Sequence, residues 1–160
     1  MSVIDEVRAA NDRYASGFGE GDLPMPPGRK FAVVTCMDAR LDPAKFLGLE
    51  EGDAHVIRNA GGVVSDDALR SLIISHNLLG TQEALVIGHT DCGMLTFTNQ
   101  DLCDRLGPEA AEIDFLPFPD VAQRVKQSVA AIRSSSLVPD SFAARGFVYD
   151  VRTGRLESVT

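Results

Sequence analysis

The sequence predicts an α/β fold in which a mostly parallel central β-sheet is flanked by helices. Two apolar runs, residues 31–35 and 84–88, have the length and character of buried parallel strands. Stretches with helical spacing of apolar residues follow them, and this alternation is typical of a parallel sheet covered on both faces. Polar residues that can bind a metal come directly after both runs. Ligands of such sheets collect beyond the carboxyl ends of the strands, so the predicted fold and the candidate site agree.

The chain opens with a predicted amphipathic helix and an arm, together residues 1–30. Ser2 and Asp5 have the spacing of a capping box, and the apolar residues that follow recur on one helical face. Residues 16–30 hold four glycines and three prolines, a composition typical of a loop or an extended arm. A helix held by such an arm lies either on its own domain or on a neighbouring subunit.

The remaining elements follow from caps, turns and alternation. Residues 54–58 are a second predicted strand, and residues 146–159 alternate as a closing antiparallel β-hairpin. Ser65 caps a predicted helix that Gly80 ends, and Asp120 caps another.

Two connecting segments complete the predicted organisation. Residues 59–62 form a tight turn, in which glycine permits a positive φ and a close approach of the backbone. The stretch from the Cys92 loop to Pro119 is predicted to be polar and irregular, because several prolines interrupt it.

Length and composition indicate one globular domain, residues 1–160, and exclude several classes of function. Apolar residues make up 44% and charged residues 24%, which argues against a disordered chain. No apolar run approaches the roughly 20 residues of a membrane span. The formal net charge of −8 repels nucleic acid and anionic lipid, so neither is an expected partner. Three cysteines and an acidic N-terminus unlike a signal peptide predict a cytoplasmic protein that uses its thiols for a metal or for catalysis.

Cys36, His89 and Cys92 form the candidate metal site. Each follows an apolar run at the same predicted edge of the sheet. Two thiolates and one imidazole suit zinc, and three protein ligands leave a fourth tetrahedral position open, as in catalytic zinc sites. The alternative interpretation is two buried structural cysteines and one hydrogen-bonded histidine.

Asp38 and Arg40 alternate with Cys36, so all three side chains can share one face of an extended segment. A carboxylate beside zinc either ligates the metal or accepts a hydrogen bond from a metal-bound water, and both roles stay open. Arg40 can hold this carboxylate by bidentate contacts and keep it ionised. The alternative is a surface ion pair of little energetic weight. A cysteine phosphatase is excluded, because its phosphate cradle needs an arginine six residues after the cysteine, where this chain has Asp42.

Two nearby residues receive no role from the sequence. Asp91 lies between two candidate ligands and is expected to point to solvent. Cys103 matches no ligand position and is interpreted as an ordinary free cysteine.

Together these residues resemble the β-class carbonic anhydrases, most closely the short branch found in bacteria and archaea. The motifs that carry the resemblance are Cys36-x-Asp38-x-Arg40, Arg58-Asn-Ala-Gly61 and His89-Thr-x-Cys92-Gly93. The resemblance extends over most of the chain, including the N-terminal helix and the closing hairpin. It implies one zinc ion per subunit, bound by Cys36, His89 and Cys92, and a catalytic pair formed by Asp38 and Arg40.

The activity that the resemblance implies is the reversible hydration of CO₂ to bicarbonate and a proton by zinc-bound hydroxide. Two thiolates make the coordinated water less acidic than three histidines do, so activity is expected to rise from neutral toward mildly alkaline pH. The same family includes enzymes that hydrolyse carbonyl sulfide or carbon disulfide with the same ligands. Hydrolysis of carbonyl sulfide to CO₂ and H₂S is therefore an alternative, and a non-catalytic zinc-binding protein is a more remote one.

The resemblance also implies a homodimer whose N-terminal helix packs on the partner subunit, with pairing of dimers into tetramers left open. The chain contains no tryptophan, so the Trp-Arg-Tyr bicarbonate pocket that closes the site in some members cannot exist in its usual form. A site with water as the fourth zinc ligand is therefore the expected resting state. Ligation of zinc by Asp38 at low pH is an alternative that the sequence does not decide.

Overall fold

The computed structural model describes residues 2–160, which form a five-stranded sheet with helices packed against it. The strands are β1 (Phe31–Cys36), β2 (Ala54–Asn59), β3 (Glu83–His89), β4 (Ala143–Tyr149) and β5 (Leu156–Ser158). Their order in the sheet is β2-β1-β3-β4-β5, with β1 to β4 parallel and β5 antiparallel to β4. The predicted α/β fold with a mostly parallel sheet and a closing hairpin is confirmed.

The helices occupy the connections between these strands and the N-terminal segment. They are α1 (Val3–Ser16), α2 (Pro43–Leu47), α3 (Asp66–Leu79), α4 (Asn99–Leu106) and α5 (Val121–Arg133). Ser65 and Asp120 cap α3 and α5 through their side chains, and Gly80 ends α3 in the left-handed conformation, as the sequence predicts. Within residues 2–160, no helix combines the length and the apolar character that crossing a membrane requires.

Both faces of strands β1 and β3 are buried, which explains why these strands read as continuous apolar runs. On one face, Val34 and Val86 join a core cluster with Leu72 of α3 and Val129 of α5. Residues on the opposite face, such as Ile87, are also fully buried. This central pair of strands therefore provides a rigid support for the residues at its carboxyl end.

Helix α5 lies close to the sheet because two strand positions facing it are glycines. A Cβ atom at Gly88 would lie 2.7 Å from Cγ1 of Val121, and one at Gly146 would lie 2.6 Å from Cγ1 of Val125. Real Cβ atoms do not approach other atoms this closely, so the spacing between helix and sheet depends on both glycines.

Helix α1 stands apart from the core. Its capping box is confirmed, because the Ser2 hydroxyl accepts from the Asp5 N–H while Asp5 accepts from the Ser2 N–H at 3.0 Å. No residue of α1 is buried, and Val3, Ile4 and Val7 are each more than half exposed. The helix therefore presents an uncovered apolar face.

The prediction of an irregular stretch between the Cys92 loop and Pro119 is wrong over α4. Thr98 and Asp101 form a capping box at the start of this helix, with the Thr98 N–H donating to Asp101 at 2.7 Å. Proline is absent from Asn99–Leu106, so nothing in that interval interrupts helical hydrogen bonding. A short 3-10 helix, Pro108–Glu112, follows it.

Candidate metal centre

The carboxyl ends of β1 and β3 bring Cys36, His89 and Cys92 together. Cys36 is the last residue of β1, His89 is the last residue of β3, and Cys92 follows in the turn after β3. One ligand atom from each residue lies within 4.8 Å of the other two, and all three residues are buried. The predicted constellation is therefore confirmed as a spatial cluster.

His89 is oriented so that one ring nitrogen faces this cluster without a hydrogen-bond partner. Its Nδ1 lies 2.8 Å from the Thr90 carbonyl oxygen, which fixes Nδ1 as the protonated nitrogen. Within residues 2–160, the buried Nε2 has no hydrogen-bond partner. Metal-ligating histidines have this arrangement, with one nitrogen held by a carbonyl group and the other free for the metal.

The surroundings of Cys36 favour its thiolate form. Proximity of the Cys92 thiol lowers the pKa of Cys36 to about 4, against the raising effect of burial, and the N–H groups of Asp38 and Gly61 add to the lowering. The same contact and burial raise the pKa of Cys92 above its usual value. The thiolate is the form of cysteine that binds zinc, so the N–H donors beside Cys36 suit it as a metal ligand.

A glycine turn packs directly against the Cys36 ligand. Gly61 and Gly62 have φ values of 85° and 63°, which confirms the predicted turn with positive φ. A Cβ atom on Gly62 would lie 2.8 Å from the Cys36 nitrogen, so only glycine permits this approach. The turn consequently places the Gly61 N–H beside the Cys36 sulfur.

Asp38 and Arg40 form a bidentate ion pair at the edge of the cluster. Arg40 donates from Nε to Asp38 Oδ1 at 3.0 Å and from Nη2 to Asp38 Oδ2 at 2.8 Å. These contacts hold the pKa of Asp38 well below its usual range, so the carboxyl group is ionised. Asp38 Oδ2 also lies 3.8 Å from His89 Nε2, which places the carboxylate beside the metal-binding atoms.

Two further residues that the sequence left without a role support this site. Arg58, at the carboxyl end of β2, donates from Nε to the Cys36 carbonyl at 2.9 Å and from Nη2 to the Asp38 carbonyl at 2.8 Å. Arg58 therefore links the segment that carries Cys36 and Asp38 to the end of β2. Asp91 was expected to point to solvent, and although its side chain is mostly exposed, its Oδ2 accepts from Arg40 Nη1 at 2.8 Å.

Apolar side chains surround the cluster. A second core cluster joins both cysteines to Leu41, Val63, Met94 and Phe118. Phe46 and Tyr149 stack at 4.4 Å between ring centroids and pack against it. Both cysteines are therefore held in a mainly apolar environment.

The residues present fit a zinc ion. The donor set of two thiols and one imidazole is one that zinc accepts in catalytic sites, and the unpartnered His89 Nε2 supplies an unused ligand atom. Cys103 lies in α4 as a free, partly buried thiol outside this cluster, in agreement with the sequence analysis.

Comparison with known proteins places this centre in a family. The family model described as carbonic anhydrase matches residues 31–116, which contain all three candidate ligands. The chain is 50% identical to β-carbonic anhydrase 1 of Mycobacterium tuberculosis, over 100% of this chain and 99% of that protein. It is also 35% identical to a carbon disulfide hydrolase of Acidianus sp. (strain A1-3), over 82% of this chain and 78% of that protein.

A solved structure agrees with these matches. The carbonic anhydrase of Streptococcus mutans superposes with a TM-score of 0.93 at 46% identity, covering 100% of this chain and 99% of that one. The sequence motifs, the buried ligand cluster and the shared fold thus lead to one assignment. The chain belongs to the β-carbonic anhydrase family.

Proposed function

We propose that this chain catalyses the reversible hydration of CO₂ to bicarbonate and a proton, with Asp38 and Arg40 as its catalytic pair. The observation that carries the proposal is the ionised Asp38 carboxylate beside the buried cluster of Cys36, His89 and Cys92. A metal-ligand set alone is also found in structural zinc sites, whereas an adjoining charged carboxylate can accept a hydrogen bond from an attacking oxygen and orient it.

Cys36, His89 and Cys92 are the residues that would hold one zinc ion per subunit. When bound, zinc supplies Lewis acidity that makes a water-derived nucleophile available near neutral pH. Three protein ligands leave room for this chemistry, because tetrahedral zinc takes a fourth ligand.

Asp38 acts as a hydrogen-bond acceptor in the proposed mechanism. Its lowered pKa keeps the carboxylate ionised at neutral pH, so it accepts a hydrogen bond from the O–H of the attacking oxygen and has no proton to donate. This hydrogen bond directs a lone pair of the attacking oxygen toward the carbon of CO₂. Arg40 holds both carboxylate oxygens and so fixes the direction of this hydrogen bond.

The apolar wall around the cluster favours CO₂ as the substrate. CO₂ is uncharged and makes no strong hydrogen bond, so side chains such as Met94 and Phe118 accommodate it without loss of polar contacts. Bicarbonate is charged, so its release toward solvent past the half-exposed Arg40 is favourable.

Carbonyl sulfide is the second candidate substrate. The relative from Acidianus is named a carbon disulfide hydrolase, which supports a sulfur analogue of CO₂ as an alternative substrate of this chain. Carbonyl sulfide would be attacked at the same carbon and would yield CO₂ and H₂S. A non-catalytic zinc protein is disfavoured, because binding zinc does not require the oriented Asp38–Arg40 pair that lies beside the ligands.

The direct test compares turnover on the two gases by the same zinc-loaded preparation. Hydration of CO₂ is followed by stopped-flow with a pH indicator, and hydrolysis of carbonyl sulfide by release of H₂S. We expect CO₂ hydration with a kcat/KM far above that for carbonyl sulfide. The reverse order would assign the chain to sulfur substrates, and no turnover of either gas would contradict an enzymatic role.

We further propose that residues 1–160 act as one domain in a homodimer, with residues 1–30 packed on the partner subunit. The uncovered apolar face of α1 supports this, since Val3, Ile4 and Val7 find no covering within residues 2–160. Pairing of dimers into a tetramer is left to experiment.

The proposed location is the cytoplasm, because the thiols described in residues 2–160 are all free, as expected in a reducing compartment. The formal charge of −8 supports the proposal that neither nucleic acid nor an anionic membrane is a partner.

A further inference from the structure

The geometry points to Asp91 as a positioning residue that holds Arg40 in the orientation in which Arg40 fixes Asp38. This inference rests on the proposed roles of Asp38 and Arg40. It assigns a function to the residue that lies between two metal ligands in the chain.

Asp91 contacts Arg40 through both its side chain and its main chain. Its Oδ2 accepts from Arg40 Nη1 at 2.8 Å, and its carbonyl oxygen accepts from Arg40 Nη2 at 2.9 Å. Asp38 occupies the other edge of the same guanidinium through Nε and Nη2. All three guanidinium nitrogens are therefore engaged, and rotation of the Arg40 side chain would break contacts on both sides.

The contact between Asp91 and Arg40 links the Asp38–Arg40 pair to the turn that carries the metal ligands. Asp91 lies in the turn between His89 and Cys92, with a φ of 55°. Asp and Asn tolerate this left-handed conformation better than most residues with a side chain. Since the turn carries two ligands, the contact between Asp91 and Arg40 fixes the Asp38–Arg40 pair relative to the metal-binding atoms.

Stability alone does not account for this ion pair. The side chains of Arg40 and Asp91 are 47% and 70% exposed, and exposed ion pairs contribute little to folding. The Asp91–Arg40 pair lies next to the proposed reacting groups. Its effect is therefore to orient Arg40, not to stabilise the fold. Small displacements of a catalytic group cost far more in rate than in stability.

The test uses two substitutions that both suit the backbone at this position. Asp91→Gly removes the carboxylate and adopts a positive φ without strain, while Asp91→Asn keeps an oxygen that accepts from Arg40 Nη1. We expect Asp91→Gly to lower kcat about tenfold with KM and zinc content unchanged. Asp91→Asn should restore kcat to within about twofold of the wild type, because the hydrogen bond is kept. Asp67→Ala, which removes another exposed Asp–Arg pair at 2.8 Å, is the matched control and should leave kcat unchanged.

A double-mutant cycle distinguishes positioning through Arg40 from a direct effect on the ligand turn. In an Arg40→Ala background, Asp91→Gly should have no further effect on kcat, because the residue through which Asp91 acts is gone. An unchanged kcat in Asp91→Gly, loss of its zinc, failure of Asp91→Asn to restore kcat, or an undiminished effect in the Arg40→Ala background would each overturn the inference.

The Asp38→Ala variant separates failure of this inference from failure of the proposed mechanism. If Asp38→Ala loses hydration activity while Asp91→Gly retains it, only the role of Asp91 is wrong. If Asp38→Ala keeps full activity, the catalytic pair itself is wrong and the role of Asp91 falls with it.

Discussion

At the scale of single residues, the three candidate ligands were predictable and their supporting contacts were not. Cys36 and His89 follow continuous apolar runs that predict parallel strands, so both lie at one edge of the sheet, and Cys92 comes three residues later. The roles of Arg58 and Asp91 depend on which way a long or exposed side chain turns after the strand ends. That direction is set by tertiary contacts and by a single positive φ, neither of which leaves a periodic signal in the sequence.

The Asp38 carboxylate has a role that a single substitution tests. Asp38→Ala removes the hydrogen-bond acceptor next to the cluster but leaves all three ligands in place. We expect kcat for CO₂ hydration to fall by about 100-fold, because loss of the hydrogen bond leaves the attacking oxygen without a fixed orientation. Zinc content by elemental analysis should stay at the wild-type level.

Asp67→Ala is again the matched control, since Asp67 is also paired with an arginine but lies in α3. Full hydration activity in a folded, metallated Asp38→Ala protein would remove Asp38 from the mechanism.

At the scale of secondary structure, capping boxes mark the start of both α1 and α4. The spacing Thr98-x-x-Asp101 is the same capping box as Ser2-x-x-Asp5, and both form in the structure. Pro108, Pro117 and Pro119 predict an irregular segment, but all three follow α4 and none lies inside the helix. The apolar periodicity of so short a helix is weak, so its cap was the one usable signal.

The close packing of α5 on the sheet makes Gly146 sensitive to substitution. Gly146→Ala would place a Cβ 2.6 Å from Cγ1 of Val125 and 3.3 Å from Cγ2 of Val129, both in the helix above it. We expect the free energy of unfolding to fall by about 1–3 kcal/mol, the usual cost of overpacking a core. Denaturant unfolding of the zinc-loaded protein measures this change.

Gly19→Ala provides the comparison, because its Cβ would meet no atom within 4 Å. This control should unfold at nearly the wild-type denaturant concentration. Equal stability of the Gly146→Ala and Gly19→Ala proteins would show that α5 relaxes away from the sheet at little cost.

At the scale of the whole molecule, the sheet explains the position of the site, and α1 presents an exposed apolar face. The parallel arrangement collects the ends of β1, β2 and β3, and so brings Arg58, Cys36 and His89 to one edge. Sequence patterns predicted this architecture because buried parallel strands are continuous apolar runs. The amphipathic spacing of α1 predicts an apolar face. It does not predict the surface against which that face packs.

A substitution on the apolar face of α1 tests the proposed dimer. Wild-type protein should sediment at twice the mass of one chain, and Val7→Lys should shift the equilibrium toward a single chain by placing a charge in the interface. Asp12→Lys, on the opposite side of the same helix, is the control and should remain dimeric. Identical sedimentation of all three proteins as dimers would show that this face of α1 lies outside the interface.

A zinc titration tests whether hydration activity depends on a zinc ion held by Cys36, His89 and Cys92. Chelator-stripped protein is mixed with increasing zinc at mildly alkaline pH, and the initial rate of CO₂ hydration is followed by stopped-flow. We expect a rate near zero without zinc, a linear rise, and a plateau at one zinc per chain. Folded protein that binds one zinc per chain without gaining hydration activity would rule out a zinc-dependent hydration at this site.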